Sequence, residues 1–282
     1  MQWRGRRESG NIEDRRGITG GHVAFGGIGG LIIAAIVYFL GGDPSQVLQQ
    51  APQDQSTKNS YVDNNANDTL KDYVGVVLAD TEDIWDSLFN SMNKHYTDPK
   101  LVLYSGEVQA GCGYASAATG PFYCPTDEKV YIDLSFFNEL TSRFGASNGD
   151  FAMAYVVAHE VGHHVQNLLG ISDKMDQMRS QVSESEYNKL SVKLELQADF
   201  FAGVWAHYDQ KMKHVLDAGD VDEALSAANA VGDDRLQQET QGRVVPDAFT
   251  HGTSAQRMYW FKKGYTTGDI NQGDTFNDSS LN

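Results

Sequence analysis

The five residues His159-Glu160-Val161-Gly162-His163 constrain this chain most, because they set three polar side chains in an apolar run. Positions four apart lie on one face of an α-helix, so both imidazoles can reach one metal ion with Glu160 beside them. The preceding residues, 151–158, are apolar and predict a buried helix, in which such groups need a partner. The pattern therefore predicts zinc bound by His159 and His163, with Glu160 as general base. The alternative is an ordinary helix with two surface histidines.

The sequence also predicts the ends of this helix, and the helix contains another histidine, His164, next to the motif. Residues 148–150 supply N-cap chemistry, and Gly170 is suited to the left-handed position that follows a helix. His164 lies about 100° further round the helix than His163, so we expect it at the rim of the site and not among the ligands.

A second predicted helix, residues 186–208, carries two carboxylates one turn apart, Glu195 and Asp199. Catalytic zinc usually has three protein ligands, and a zinc-bound histidine usually donates its other N–H to a carboxylate or carbonyl. We expect Glu195 as the third ligand and Asp199 as the partner of a ligand histidine. The alternative is two solvated charges on a polar face. A third histidine further along the first helix is excluded, since Leu169 occupies that position.

Charge is distributed unevenly along the chain. The formal net charge is −16, which argues against nucleic acid as a partner, because binding phosphates needs basic patches. Residues 1–21 carry five arginines and are expected to be cytoplasmic, while residues 22–42 are long and apolar enough to predict a transmembrane helix. Residues 43–69 read as a polar linker. The positive-inside rule then places residues 70–282 in the periplasm or outside the cell. A cleaved signal peptide and a buried core helix are the alternatives.

The two cysteines, Cys112 and Cys124, stand twelve positions apart among glycines, prolines and small residues. We expect a disulfide across a tight loop, worth roughly 3 kcal/mol and formed only in an oxidising compartment. Two free thiols are the alternative.

The fold class is predicted as α+β, mostly helical with a small sheet. The catalytic domain is predicted over residues 70–282. The predicted helices cover residues 80–95, 222–230, 234–241 and 253–263, besides the two above, and the predicted strands are 101–104 and 130–133.

Four segments resemble the bacterial "neutral zinc metallopeptidase" family of membrane-anchored proteins. The first segment combines Met1-Gln-Trp-Arg-Gly-Arg-Arg-Glu-Ser with Asn11-Ile-Glu-Asp-Arg-Arg-Gly. The second combines Gly120-Pro-Phe-Tyr-Cys-Pro with Val130-Tyr-Ile-Asp. The others are Ala158-His-Glu-Val-Gly-His-His-Val-Gln and Phe249-Thr-His-Gly-Thr-Ser-Ala-Gln-Arg. The resemblance implies a zincin-like fold, with zinc on His159, His163 and Glu195 and with Glu160 as the catalytic residue.

The chemistry we expect is hydrolysis of a protein or peptide substrate lying along an exposed strand edge within residues 115–133. The developing oxyanion needs a donor, for which we expect His251, oriented by Asp247. His251 as a plain helix-entry residue is the alternative. The rival donors are Tyr208, Tyr259 and Arg257. A non-catalytic membrane-anchored scaffold with structural zinc, or an amidase acting on cell-wall peptides, would share these features. No oligomeric state is predicted.

Overall fold

The predicted α+β class is confirmed in the structure, a computed structural model that describes residues 1–17 and 64–281. The helices are Asn64–Ser91 (α1), Ser135–Ser142 (α2), Asp150–Leu168 (α3), Ile171–Arg179 (α4), Glu184–Lys213 (α5), Asp220–Ala230 (α6), Asp233–Gln241 (α7) and Ser254–Thr267 (α8). The strands are Ile12–Asp14 (β1), Lys100–Tyr104 (β2), Glu107–Ala110 (β3), Gly113–Ser116 (β4), Phe122–Cys124 (β5) and Lys129–Asp133 (β6).

Four strands form one small sheet in the order β1-β2-β6-β5. β1, β2 and β6 run parallel, and β5 runs antiparallel to β6 with Phe122 opposite Tyr131. β5 is therefore an edge strand, and its outer side is open to pairing within the described part of the chain. β3 and β4 form a separate antiparallel hairpin.

The core is built around α3, α5 and α8, whose axes approach closely because small residues stand at the crossings. Gly162 of α3 faces α5, where an added Cβ would lie 2.9 Å from the carbonyl oxygen of Ala198. Gly203 of α5 and Gly264 of α8 face each other's backbone with no room for a Cβ. This packing brings α8 against the same stretch of α5 that faces α3.

The N-terminal residues were predicted to lie apart from the domain, and the structure differs. Residues Met1–Gly17 form one compact unit with residues 65–282. β1 pairs with β2, and Arg6 binds Asp80 at 2.6 Å. The indole of Trp3 donates to Asp150 at the start of α3. The physical reason is that several side chains of this N-terminal arm, residues 1–17, have partners on the domain, among them Trp3, Arg6 and Arg7.

The predicted transmembrane helix, residues 22–42, and most of the predicted linker, residues 43–69, lie outside the described residues. Within residues 1–17 and 64–281, no helix combines the length and the apolarity needed to cross a bilayer. One end of the linker prediction is wrong, since α1 begins at Asn64 and continues to Ser91 as a single helix.

Candidate metal centre

Three predicted ligands converge where α3 faces α5. The Nε2 of His159 lies 3.2 Å from one carboxylate oxygen of Glu195, and the Nε2 of His163 lies 3.4 Å from the other. One ligand atom from each residue fits within a 4.8 Å separation of the others. This convergence follows from sequence spacing, since His159 and His163 are one turn apart on α3 and both face the same position of α5.

Asp199 holds the first of these histidines from behind. It is fully buried and accepts a hydrogen bond of 2.8 Å from His159 Nδ1, which leaves Nε2 free to face Glu195. The hydroxyl of Tyr155 donates to the same oxygen at 2.5 Å. Arg257 of α8 donates to both carboxylate oxygens, through Nε at 2.8 Å and Nη2 at 2.9 Å. Four donors thus fix one carboxylate, and through it the orientation and tautomer of His159.

A chain of amide groups holds the second histidine. His163 Nδ1 donates to Gln166 Oε1 at 2.8 Å, so its Nε2 is also the nitrogen left for a ligand. Gln166 is fully buried and donates in turn to the carbonyl of Leu194 and to Gln197. Gln197 donates to the carbonyl of Gly273 at 2.8 Å. The two histidines therefore have different supports, one anionic and one neutral.

The electrostatics of the three-residue group favour a bound cation. Burial would lower the pKa of His159, but Asp199 and Glu195 raise it to about 10. Burial would raise the pKa of Glu195, yet the two histidines hold it well below its ordinary value. Burial would likewise raise the pKa of Asp199, but Arg257 and His159 outweigh it and lower that pKa to about 2.

These residues fit a zinc ion by the chemistry of their donors. Two imidazole nitrogens and one carboxylate, with their outer sides hydrogen-bonded, are the donor set of catalytic zinc sites that keep one position open. Glu160 directly follows the ligand His159 on α3, and its side chain is buried, with the residue 7% exposed. Burial raises the pKa of its carboxyl group, with the histidines opposing and Glu195 adding to the effect. A carboxylate with a raised pKa beside an open metal position suits a general base.

The group lies in an open cleft of about 610 Å³. One wall is the loop and edge strand closed by the Cys112–Cys124 disulfide, whose predicted pairing is confirmed. Within that wall, residues 119–123 line the cleft. The expected strand edge within residues 115–133 is thus β5, which was not itself among the predicted strands.

His251 lies at the same cleft, but its predicted partner was wrong. Its Nδ1 is 3.2 Å from Asp233, which also accepts the backbone N–H groups of Thr250, His251 and Gly252. Asp247 stands in a short 3₁₀ turn, where its backbone carbonyl accepts a hydrogen bond from the side chain of Asn188. The physical reason is that Asp233 begins α7, whose start faces the loop before α8.

The side chain of His251 is half exposed and lines the cleft, with its Nδ1 facing Asp233. Partial burial lowers its pKa, but Asp233 and Glu195 raise it above the ordinary value. Of its rivals, Arg257 lines the cleft but is committed to Asp199, and Tyr208 and Tyr259 are not among the lining residues.

This arrangement can be compared with known proteins. Residues 1–276 match the family described as "putative neutral zinc metallopeptidase". The chain belongs to this family. It is 50% identical to the uncharacterized protein YpfJ of Escherichia coli K12, over 99% of this chain and 100% of that one. It is 43% identical to the uncharacterized protein Rv2575 of Mycobacterium tuberculosis H37Rv, over 86% of this chain and 85% of that one. No solved structure matches it.

His164 has a structural role in this member of the zinc metallopeptidase family that differs from the predicted rim position. It is fully buried, donates from Nε2 to the carbonyl of Thr97 at 2.7 Å, and accepts from the hydroxyl of Tyr123 at Nδ1. Tyr123 belongs to β5, so His164 ties the edge strand to the helix that carries His159 and His163.

Several site residues were missed by sequence reasoning. Tyr155 and Gln166 stand four positions before His159 and three after His163, so helical spacing alone would have placed them beside the ligands. Asp233 and the role of Arg257 arise from contacts between distant parts of the chain, for which the sequence carries no local signal.

Proposed function

We propose that this protein hydrolyses peptide bonds with a zinc ion held by His159, His163 and Glu195. The observation that carries the proposal is the joint presence of three converging ligand atoms, two tautomer-fixing supports and a neighbouring carboxylate, Glu160, in one open cleft. Zinc at such a site supplies Lewis-acid chemistry, polarising a carbonyl and lowering the pKa of water.

The protein's own residues supply the remaining steps. A substrate in extended conformation pairs with the open edge of β5, which places its backbone along the cleft. Glu160 accepts the proton of the attacking water and transfers it to the leaving amine. His251, oriented by Asp233, donates a hydrogen bond to the oxygen of the carbonyl as negative charge develops there. His164, through Tyr123, keeps β5 at a fixed distance from α3.

The decisive experiment compares native protein with Glu160→Gln, using Glu184→Gln on the exposed start of α5 as the matched control. Metal content is measured by mass spectrometry, and cleavage is measured on a proteome-derived peptide library. We expect one zinc per chain in all three proteins, and cleavage by the native and control proteins only. Zinc without cleavage that depends on Glu160 would favour the non-catalytic scaffold. Absence of zinc from every protein would refute the central proposal, and cleavage confined to cell-wall peptides would indicate an amidase.

We also propose that the domain works in an oxidising compartment at the membrane, associated with it through residues 22–42. The Cys112–Cys124 disulfide supports the compartment. A single crossing by residues 22–42 would put the N-terminal arm and the domain on opposite sides. That arrangement does not fit an arm that adds β1 to the domain's sheet, so we place both on the same face.

Single cysteines at two exposed positions, Gly10→Cys in the arm and Ser142→Cys at the end of α2, test this placement. A membrane-impermeant maleimide applied to intact cells or spheroplasts should label both equally. Labelling of Ser142→Cys alone would restore the opposite-side arrangement, and labelling of neither before lysis would move the domain inside.

A further inference from the structure

The two ends of the cleft differ in chemistry. α3 forms the floor, and Val156 lies one turn before His159, toward the start of that helix. Further half-buried apolar side chains from α2, the loop after it, and the α6–α7 region line the same cleft. This apolar bay consists of Phe136, Phe144, Val156, Val231 and Leu236. The opposite end lies past His163 and is lined by mixed side chains, including Ser172, Asp176 and Tyr187.

The bay offers apolar surface with its nearby charges already paired. The rings of Phe136 and Phe144 lie 6.3 Å apart, and both remain partly exposed to the cleft. Two charged residues also line the cleft here, Glu139 of α2 and Arg143 just after it, and they form an ion pair with each other at 3.4 Å. A side chain entering the bay therefore gains by burying apolar surface, and the two charged neighbours Glu139 and Arg143 are already paired with each other.

The direction of β5 decides which substrate residue reaches the bay. Gly120, just before β5, lies at the bay end, since a Cβ there would be 3.5 Å from the ring of Phe136. Tyr123 lies further along, where its hydroxyl reaches His164, beyond the ligand histidines. β5 thus runs from the bay toward the opposite end of the cleft.

An added strand that pairs antiparallel with β5 runs the other way, toward the bay. Antiparallel pairing is slightly more stable per residue than parallel pairing, and β5 already pairs antiparallel with β6. The substrate residue on the carboxyl side of the scissile bond then lies nearest the bay.

We propose that this protein cleaves on the amino side of large apolar residues such as Leu, Met and Phe, whose side chains occupy the apolar bay. The inference rests on the proposed peptidase function and adds the class of peptide that it takes. A preference of roughly ten- to a hundredfold for Leu over Ala at that position is expected from burying the larger side chain.

The test profiles every cut made in a proteome-derived peptide library by the zinc-loaded full chain. Leu236→Glu places a carboxylate in the bay, and Leu236→Met is the matched apolar control. Tyr187→Ala alters the opposite end of the cleft. We expect new N-termini of native protein and Leu236→Met to be enriched in Leu, Met and Phe. Leu236→Glu should lose that enrichment and gain Lys and Arg, while Tyr187→Ala should keep the apolar preference.

The possible outcomes distinguish the proposed apolar specificity from the proposed peptidase function on which it rests. Cleavage that depends on Glu160 but shows no apolar enrichment after the cut would overturn the inference and leave the peptidase standing. Apolar enrichment before the cut, with none after it, would overturn the antiparallel assignment and with it the proposal. Absence of any cleavage that depends on Glu160 would overturn both.

Discussion

Replacing Asp199 by asparagine perturbs the metal centre and the core in separable ways. The native carboxylate accepts from His159 Nδ1, from the Tyr155 hydroxyl and twice from Arg257, all within 2.9 Å. Asparagine has nearly the same shape, but its side chain is uncharged and one of its two terminal groups is a donor and not an acceptor. His159 then loses an anionic support, and Arg257, which is 4% exposed, loses its counter-ion.

The two losses have different magnitudes. Removing the hydrogen-bonded support of a metal-bound histidine typically weakens metal affinity ten- to a hundredfold, which is about 1.4–2.7 kcal/mol. Leaving a buried guanidinium unpaired typically costs about 3–5 kcal/mol of folding stability. Asp199→Asn should therefore bind zinc ten- to a hundredfold more weakly and, without metal, unfold about 3–5 kcal/mol more easily.

A double variant, Asp199→Asn with Arg257→Met, separates the two effects. Removing the guanidinium should restore most of the stability, because no unpaired charge remains in the core. Zinc affinity should stay low, because His159 still lacks its carboxylate. Stability is measured by urea unfolding in the presence of a chelator, and zinc affinity by competition with a chromophoric chelator. A single variant that binds zinc within threefold of native would refute the role assigned to Asp199, and a double variant no more stable than the single one would refute the unpaired-charge argument.

Three further outcomes are expected. Burial and the charge of Asp80 raise the pKa of Asp209 from 3.8 to about 7, so the folded state holds an extra proton between these values and loses stability as pH rises through them. In urea unfolding, the stability of Asp209→Asn relative to native should therefore increase as the pH rises from 4 to 8; an advantage independent of pH would contradict this. Cys112→Ser should lower the free energy of unfolding by roughly 3 kcal/mol in the same assay, and its stability should no longer depend on reductant. As the control, native protein treated with reductant should lose the same amount. Gln166→Leu should weaken zinc binding about tenfold, because the ring of His163 loses its hydrogen-bonded support. Undiminished zinc affinity would show that Gln166 does not contribute to holding His163.

The ligand helix and its partner were predictable because their information is local. Helical spacing places His159 and His163 on one face, and an apolar context requires burial, so a metal follows from neighbours in sequence. Glu195 and Asp199 were found by the same reasoning on a second helix. Their contact across α3 and α5 then needs only that two amphipathic helices pack by their apolar faces.

The edge strand and the orienting residue of His251 were not predictable in the same way. β5 has three residues, and its place at the sheet edge is set by pairing with β6 and by the disulfide, not by its own pattern. Asp247 is near His251 in the sequence, whereas Asp233 is further away in the sequence but contacts it in the structure. Choosing between them depends on how α7 packs before α8, which is a tertiary property.

The arginines of the N-terminal arm show how one charge pattern supports two interpretations. Beside an apolar run they predict a cytoplasmic flank, yet Arg6 and Arg7 bind Asp80, Glu82 and Asp83 in the C-terminal half of α1. Asp80 and Glu82 are buried, so these arginines help to compensate their charges, together with Lys213 at Asp80. A chain beginning at residue 70 would lose these arginines, and would expose the edge of β2 that β1 now covers. Such a chain should therefore unfold or aggregate where the full chain does not, and adding residues 1–17 as a separate peptide should recover part of its stability. Equal stability of the shortened and full chains would show that the arm's contacts contribute nothing to folding, and would remove the argument that arm and domain share one side of the membrane.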